Sequence, residues 1–182
     1  MSRYPERVDV LVAGAGPAGS ATATLLARAG QTVAMVDRAE FPREKACAEY
    51  MSPETVRILD RLGVVEQLED LGASHLEGMK FTGCEGATAH GLFGSTGWRP
   101  YRPTGLSVSR RILDHELVKT AQAAGALVLE QSSVGGLLVE SGAVAGAVVR
   151  DRDGNQHQIR ARLTIGADGL RSTVARRIGR RL

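Results

Sequence analysis

Residues 8–19 read Val-Asp-Val-Leu-Val-Ala-Gly-Ala-Gly-Pro-Ala-Gly, and after a run of small residues the chain continues at 32–37 as Thr-Val-Ala-Met-Val-Asp. The β-branched run Val8, Val10 and Val12 favours a strand, the Ala-, Thr- and Leu-rich stretch after the glycines favours a helix, and Gly30 is placed to end it. The segment therefore predicts strand, helix, strand. In such a unit Gly14 permits a tight turn, Gly16 lets the backbone approach a pyrophosphate with no Cβ in the way, and Gly19 lets the helix lie close to the sheet. The amides of the helix start, with Pro17 and Ala18 in its first turn, carry partial positive charge and can hold a diphosphate without a basic side chain. Asp37 closes the second apolar run, where a carboxylate accepts hydrogen bonds from a ribose diol. An adenine dinucleotide is the expected guest, and Asp37 disfavours a 2′-phosphate by charge repulsion, an effect that Arg38 beside it weakens.

The composition agrees with that reading. At 182 residues the chain suits one domain, or one and part of another, and at 43% hydrophobic it can bury a core. Only 4% is aromatic, so packing rests on Val, Leu, Ile and Ala, as expected of a parallel sheet with helices on both faces. No apolar stretch approaches membrane-spanning length and the N-terminus lacks the apolar region of a signal peptide, so a cytoplasmic protein is expected. Cys47 and Cys84 are too far apart for a C-x-x-C motif, and the dispersed histidines suggest no metal site and no catalytic role. The net charge of +3 gathers late, at Arg171, Arg176, Arg177, Arg180 and Arg181. Without interleaved aromatics this run reads as a solvated helix end, not a nucleic-acid surface.

Further along, residues 38–52 show no periodicity and form a loop, and Ser52-Pro53-Glu54 opens a helical stretch broken at Gly63. Its apolar positions are Val56, Ile58, Leu59, Leu62, Val64, Val65, Leu68 and Leu71. Residues 76–108 are glycine-rich, with candidate strands at 79–82 and 106–108, and read as a small antiparallel β excursion leaving the main sheet. A helix is predicted over 110–124 and a parallel strand over 126–130. Residues 134–139 and 143–149 form a hairpin, 156–162 add a third strand, and 163–169 form a final buried strand ending in Asp168-Gly169, with Ser172 capping a closing helix.

Four segments in order, Gly14 to Asp37-Arg38, Phe41-Pro-Arg-Glu-Lys-Ala-Cys47, Val108-Ser-Arg110-Arg-Ile-Leu113-Asp114 and Gly166-Ala-Asp168-Gly169-Leu-Arg171-Ser172, resemble FAD-dependent oxidoreductases of the aromatic-hydroxylase type, including the geranylgeranyl-reductase-like and flavin-halogenase-like branches. The glycines that usually follow the cysteine in the reductase and halogenase branches are Ala48 and Glu49 here. The resemblance implies a Rossmann-like FAD-binding α/β fold over residues 1–182, with the C-terminal part of the family fold missing. It also implies FAD as cofactor, NAD(P)H as electron donor and a small aromatic, polyketide-like or isoprenoid substrate.

Each motif has a physical role and a plainer alternative. Arg110 offers a fixed donor fork to flavin phosphates or ribityl hydroxyls, or is a surface arginine paired with Asp114 and worth about 0.3 to 0.5 kcal/mol. Asp168, beside Gly169, accepts from ribityl hydroxyls, or belongs to a simple turn. Cys47, near Arg43 and Lys45, is a partly ionised thiol that the family places near the flavin, or a passive loop cysteine. Val134 packs on adenine, as the family's equivalent strand implies, or is a core valine. The expected function is the N-terminal part of an NAD(P)H-dependent flavin monooxygenase or geranylgeranyl-reductase-like enzyme. The rivals are a non-catalytic module or remnant that binds FAD or NAD, and an NAD(P)-dependent dehydrogenase.

Overall fold

The computed structural model describes residues 3–95, 97 and 99–179, so Arg180 and Arg181 of the basic run lie outside the described residues. In chain order the elements are β1 (Arg7–Ala13), α1 (Pro17–Arg28), β2 (Val33–Val36), β3 (Tyr50–Met51), α2 (Pro53–Leu62), α3 (Val65–Asp70), β4 (Ser74–Leu76), β5 (Gly78–Thr82), β6 (Thr88–Leu92), β7 (Gly105–Ser107), α4 (Arg110–Ala123), β8 (Leu127–Leu129), β9 (Ser133–Glu140), β10 (Ala143–Arg150), β11 (Gln156–Gly166) and α5 (Thr173–Arg177). They fall into two compact units, one made of the chain up to Arg43 and from Leu117 on, the other of Glu44–Glu116.

The first unit is built on a six-stranded sheet in the order β8-β2-β1-β11-β10-β9. The βαβ opening forms as the sequence predicts. Helix α1 starts at Pro17, and stops where the amides of Gly30 and Gln31 reach back to the carbonyls of Ala27 (2.9 Å) and Leu26 (3.1 Å), a paired closure that satisfies the orphan end of the helix. Strand β8 lies parallel to β2, β2 to β1, and β1 to β11. Residues 156–162 and 163–169, expected as two strands, form one that ends at Gly166. The first half of β11 pairs antiparallel with β10 (Arg150↔Gln156 to Gly146↔Arg160), and its second half pairs parallel with β1 (Arg7↔Arg160 to Ala13↔Gly166). The β9–β10 hairpin turns through Ser141 (φ 50°) and Gly142 (φ 80°), both left-handed, the turn geometry that matches strand twist.

Alternation along the strands sends apolar side chains to both faces. On one face Val10, Val12, Val33 and Met35 meet Ala23 of α1 and Val118 and Ala121 of α4. On the other face Leu11, Ala34, Val36 and Leu129 pack against Ala147 and Val149 of β10 and Ile159 and Ala161 of β11. A long antiparallel ribbon has its own apolar side, and its twist brings that side back over the parallel strands. Leu163 is 52% exposed, so the last strand is not buried throughout.

In the second unit the loop 38–52 contributes β3, and β3, β7 and β4 form an antiparallel sheet, while β5 and β6 form a two-stranded ribbon. Strands β4 and β6 carry no alternating apolar pattern and were not expected. Ser52 Oγ accepts from the amide of Thr55 at 3.2 Å, so α2 is capped as its sequence predicts. Val56, Leu59 and Leu62 are buried with Met51, Leu68 and Leu106, whereas Ile58 and Leu71 are exposed.

Candidate functional site

The three glycines after β1 do different work. A Cβ on Gly14, whose φ is +100°, would stand 2.3 Å from the carbonyl oxygen of Ala167, so the turn off β1 presses directly on the segment leading into Asp168. A Cβ on Gly19 would stand 1.8 Å from the Gly14 carbonyl oxygen, so α1 can approach the turn only through glycine. Gly16 differs from both: a Cβ there would meet only Nη2 of Arg43, at 3.9 Å. Two glycines close the loop on itself and the middle one leaves a space open at the N-terminus of α1. Gly16 and Pro17 are half-buried and Ala18 is exposed at that end.

Asp37 sits at the end of β2 and bridges the loop. Its Oδ2 accepts from the amide of Ala15 at 2.7 Å and its Oδ1 from the amide of Ala39 at 2.9 Å. Those two bonds fix the carboxylate against the glycine turn, and each oxygen has further lone pairs with which it could accept. Arg38 beside it is exposed.

Asp168, joined to the glycine turn through Ala167, is committed to α5. It accepts from Ser172 Oγ (2.6 Å) and from the amides of Thr173 (2.6 Å) and Val174 (3.3 Å), while Ser172 Oγ accepts from the amide of Ala175 at 2.9 Å. The plainer alternative of a simple turn does not describe it: the segment is a helix start capped by Ser172 as expected, with Gly169 at φ 79° between strand and cap. Val134 is half-buried against the core that contains Leu11 and Ile159. Arg177 donates to the Gly135 carbonyl at 3.1 Å, so this member of the basic run ties α5 to β9.

Cys47 and Arg110 belong to the second unit. Arg110 pairs with Asp114 through two bonds, Nε to Oδ1 at 2.8 Å and Nη2 to Oδ2 at 2.9 Å. The pairing read from the sequence is there, but it is not a surface pair: the side chains are 8% and 0% exposed. The Asp114 hydrogen bond raises the Arg110 pKa above its ordinary value, with smaller support from the exposed Cys47 thiol beside it.

Arg43 brings its Nη2 to the open side of Gly16 from the loop after β2. It was noticed only as a neighbour of Cys47, because no spacing rule carries a loop arginine back to a glycine turn far earlier in the chain. Among the described residues no cluster of His, Cys, Asp and Glu could hold a metal, and no helix is long and apolar enough to cross a membrane.

The open position at Gly16, the free end of α1 and the acidic Asp37 fit a dinucleotide. A sequence profile of the FAD binding domain matches residues 7–182. The chain belongs to this FAD binding domain family. The FAD-binding domain is 37% identical over 179 residues to menaquinone reductase of Mycolicibacterium smegmatis, covering 96% of this chain and 40% of the relative. It is 33% identical over 172 residues to digeranylgeranylglycerophospholipid reductase of Methanosarcina acetivorans, covering 94% of this chain and 40% of the relative. Among solved structures it superposes on the myxobacterial chondrochloren halogenase CndH with a TM-score of 0.85 and 29% identity, covering 93% of this chain and 39% of that one. The chain thus spans about 40% of the length of the curated relatives it matches. These proteins are FAD-dependent oxidoreductases, and the FAD-binding domain corresponds to their N-terminal part.

Proposed function

We propose that the domain holds FAD with its diphosphate at Gly16 and the N-terminus of α1, including Pro17, Ala18 and Gly19, and with its adenosine ribose on Asp37 beside Arg38. The observation that carries this reading is the open side of Gly16 in a loop whose other two glycines are closed by contact. Asp168 and Gly169 abut the same turn through Ala167 and would face the ribityl chain; Val134 would line the adenine. The family resemblance adds Cys47 and Arg110 as flavin contacts. FAD, when bound, supplies a two-electron carrier whose ring accepts and donates hydride, and the protein contributes position, hydrogen bonds and exclusion of water.

For the whole protein we infer an NAD(P)H-dependent reductase of an isoprenoid compound. The two reductases, named for menaquinone and a digeranylgeranyl lipid, are 37% and 33% identical to this chain, above the 29% of the halogenase. Hydroxylation or halogenation is the second reading, supported by the close superposition on the halogenase. A cytoplasmic location belongs to the same proposal.

The test is an absorbance spectrum of the freshly purified chain, followed by titration with FAD and with NADH. Bound flavin or saturable FAD binding supports the proposal. Binding of NADH alone would move the chain to a dehydrogenase or sensor, and binding of neither would reject a nucleotide role.

A further inference from the structure

The connection between β8 and β9 runs beside the end of β2 and is bonded to it along its length. The Asp37 amide donates to the Leu129 carbonyl at 3.1 Å, the Ser132 amide to the Asp37 carbonyl at 2.8 Å, and the Gln131 amide to the Ala39 carbonyl at 3.1 Å. Glu130 adds its carboxylate, which accepts from the Phe41 amide at 3.4 Å. Ala39 is the residue whose amide holds Asp37 Oδ1, so the carboxylate is fixed through a neighbour that Gln131 holds in turn. Gln131 makes its bond at a φ of 53°, a left-handed conformation that a side chain disfavours and that the surrounding contacts must impose.

Those contacts come from the residues before β1. Ser132 is 1% exposed, and its hydroxyl proton goes to the Glu130 carbonyl at 2.9 Å. With that proton committed, Ser132 Oγ accepts from the Tyr4 hydroxyl at 2.8 Å, and Tyr4 Oη accepts from Arg3 Nη2 at 2.7 Å. The Tyr4 ring is stacked on His157 of β11, with centroids 3.8 Å apart and planes 11° from parallel, and belongs to the core with Leu11 and Val36. The donors therefore run in one direction, Arg3 to Tyr4 to Ser132 to Glu130, and end on the segment that clasps Asp37. Each bond in such a chain polarises the next.

Resting on the FAD reading above, which gives Asp37 to the adenosine ribose, we propose that Ser132, held by Tyr4, is a positioning residue for that ribose. It keeps the Asp37 carboxylate at the place and angle where it accepts from the 2′-hydroxyl, and it acts through the main chain of Asp37, not through a contact of its own. A carboxylate held by amides of two separate segments, Ala15 and Ala39, aims correctly only while both keep their places, so loosening one costs the ribose contact before it costs the fold.

The experiment measures binding of FAD, ADP and 2′-deoxy-ADP by calorimetry for the wild type, Tyr4→Phe, Ser132→Ala and Ser132→Thr. The ratio of the ADP and 2′-deoxy-ADP affinities reads the 2′-hydroxyl contact alone, because a general loss of folded protein lowers both ligands together and leaves the ratio unchanged. The wild type should prefer ADP by roughly ten-fold or more, the scale of a hydrogen bond to a charged group. Tyr4→Phe and Ser132→Ala should lower that ratio by roughly two- to ten-fold, the scale of one neutral bond, and Ser132→Thr, which keeps the hydroxyl, should retain it. An unchanged ratio in either Tyr4→Phe or Ser132→Ala overturns the proposal and leaves the FAD reading intact. A wild type that binds FAD without binding ADP, or that binds ADP without preferring it to the deoxy form, also overturns it, since Asp37 then makes no contact for Ser132 to position. A wild type that binds none of the three rejects the FAD reading, and the proposal falls with it. Should one of the two variants fail to fold, the other decides by the same ratio.

Discussion

A Cβ on Gly19 would stand 1.8 Å from the carbonyl oxygen of Gly14, so the first and last glycines of the fingerprint are locked together whether or not a ligand is bound. Gly14→Ala and Gly19→Ala should therefore act on the fold. Overpacking of this kind costs about 1 to 3 kcal/mol, which lowers the melting temperature of a chain this size by roughly 2 to 4 °C per kcal/mol. Gly16→Ala meets only an ordinary contact and should melt close to the wild type while losing at least about ten-fold in FAD affinity, because its methyl enters the space proposed for the diphosphate. Thermal melts and FAD titration of the three variants separate the two roles. Equal FAD loss without destabilisation in all three would contradict the division.

Arg110 and Asp114 form a buried, doubly hydrogen-bonded pair, and removing one partner strands the other's charge. Asp114→Asn should cost about 3 to 5 kcal/mol in urea denaturation, far above the value of a surface pair. Replacing both residues by apolar ones of similar size should recover most of that loss. A cost under about 1 kcal/mol for Asp114→Asn would show that the pair is effectively solvated.

Asp151 closes the turn between β10 and β11. It accepts from the amides of Asp153 (3.0 Å) and Asn155 (2.9 Å), and lies 2.9 Å from His157 Nε2. The His157 contact, above all, lowers its pKa from 3.8 to about 2. Because the folded value is depressed, the stabilisation is fully present above the unfolded value and is lost as pH falls from 3.8 through about 2. The wild type should lose stability across that window more steeply than Asp151→Asn, as followed by melting temperature against pH. Parallel curves would remove Asp151 from the acid response.

Asp168 caps α5, so Asp168→Ala should cost about 0.5 to 2 kcal/mol, the range for losing a helix cap, in addition to weakening FAD. Asp168→Asn keeps an acceptor and should retain most of the stability. If Asp168→Asn binds FAD like the wild type, the ribityl contact needs an acceptor and not a charge. If Asp168→Ala neither melts lower nor binds FAD more weakly, both roles fall.

Several parts of the fold were legible because local chemistry alone decides them. Ser52-Pro53 starts α2 and Gly30 ends α1 through hydrogen bonds within a few residues of each other, and the Ser141-Gly142 turn needs only its own backbone angles. Ile58 and Leu71 fit the helical apolar pattern and are nonetheless exposed, because periodicity says which residues share a face but not which stretch of that face is covered. Strands β4 and β6 were missed because each has a single leucine among Ser, His, Thr, Ala or Gly and no alternating apolar pattern, and they form only because β7 and β5 supply partners.

The sequence by itself determined the βαβ opening, its glycine turn and the order of motifs that places the chain among FAD-binding domains, since each is a contiguous pattern with its own backbone requirements. Tertiary structure decided what those patterns touch. It merged residues 156–166 into one strand serving two partners, covered a sheet face with a hairpin, buried the Arg110–Asp114 pair, and set Arg43 against Gly16. Those outcomes depend on strand twist, on burial and on atoms distant in the chain, and spacing along one dimension carries none of them.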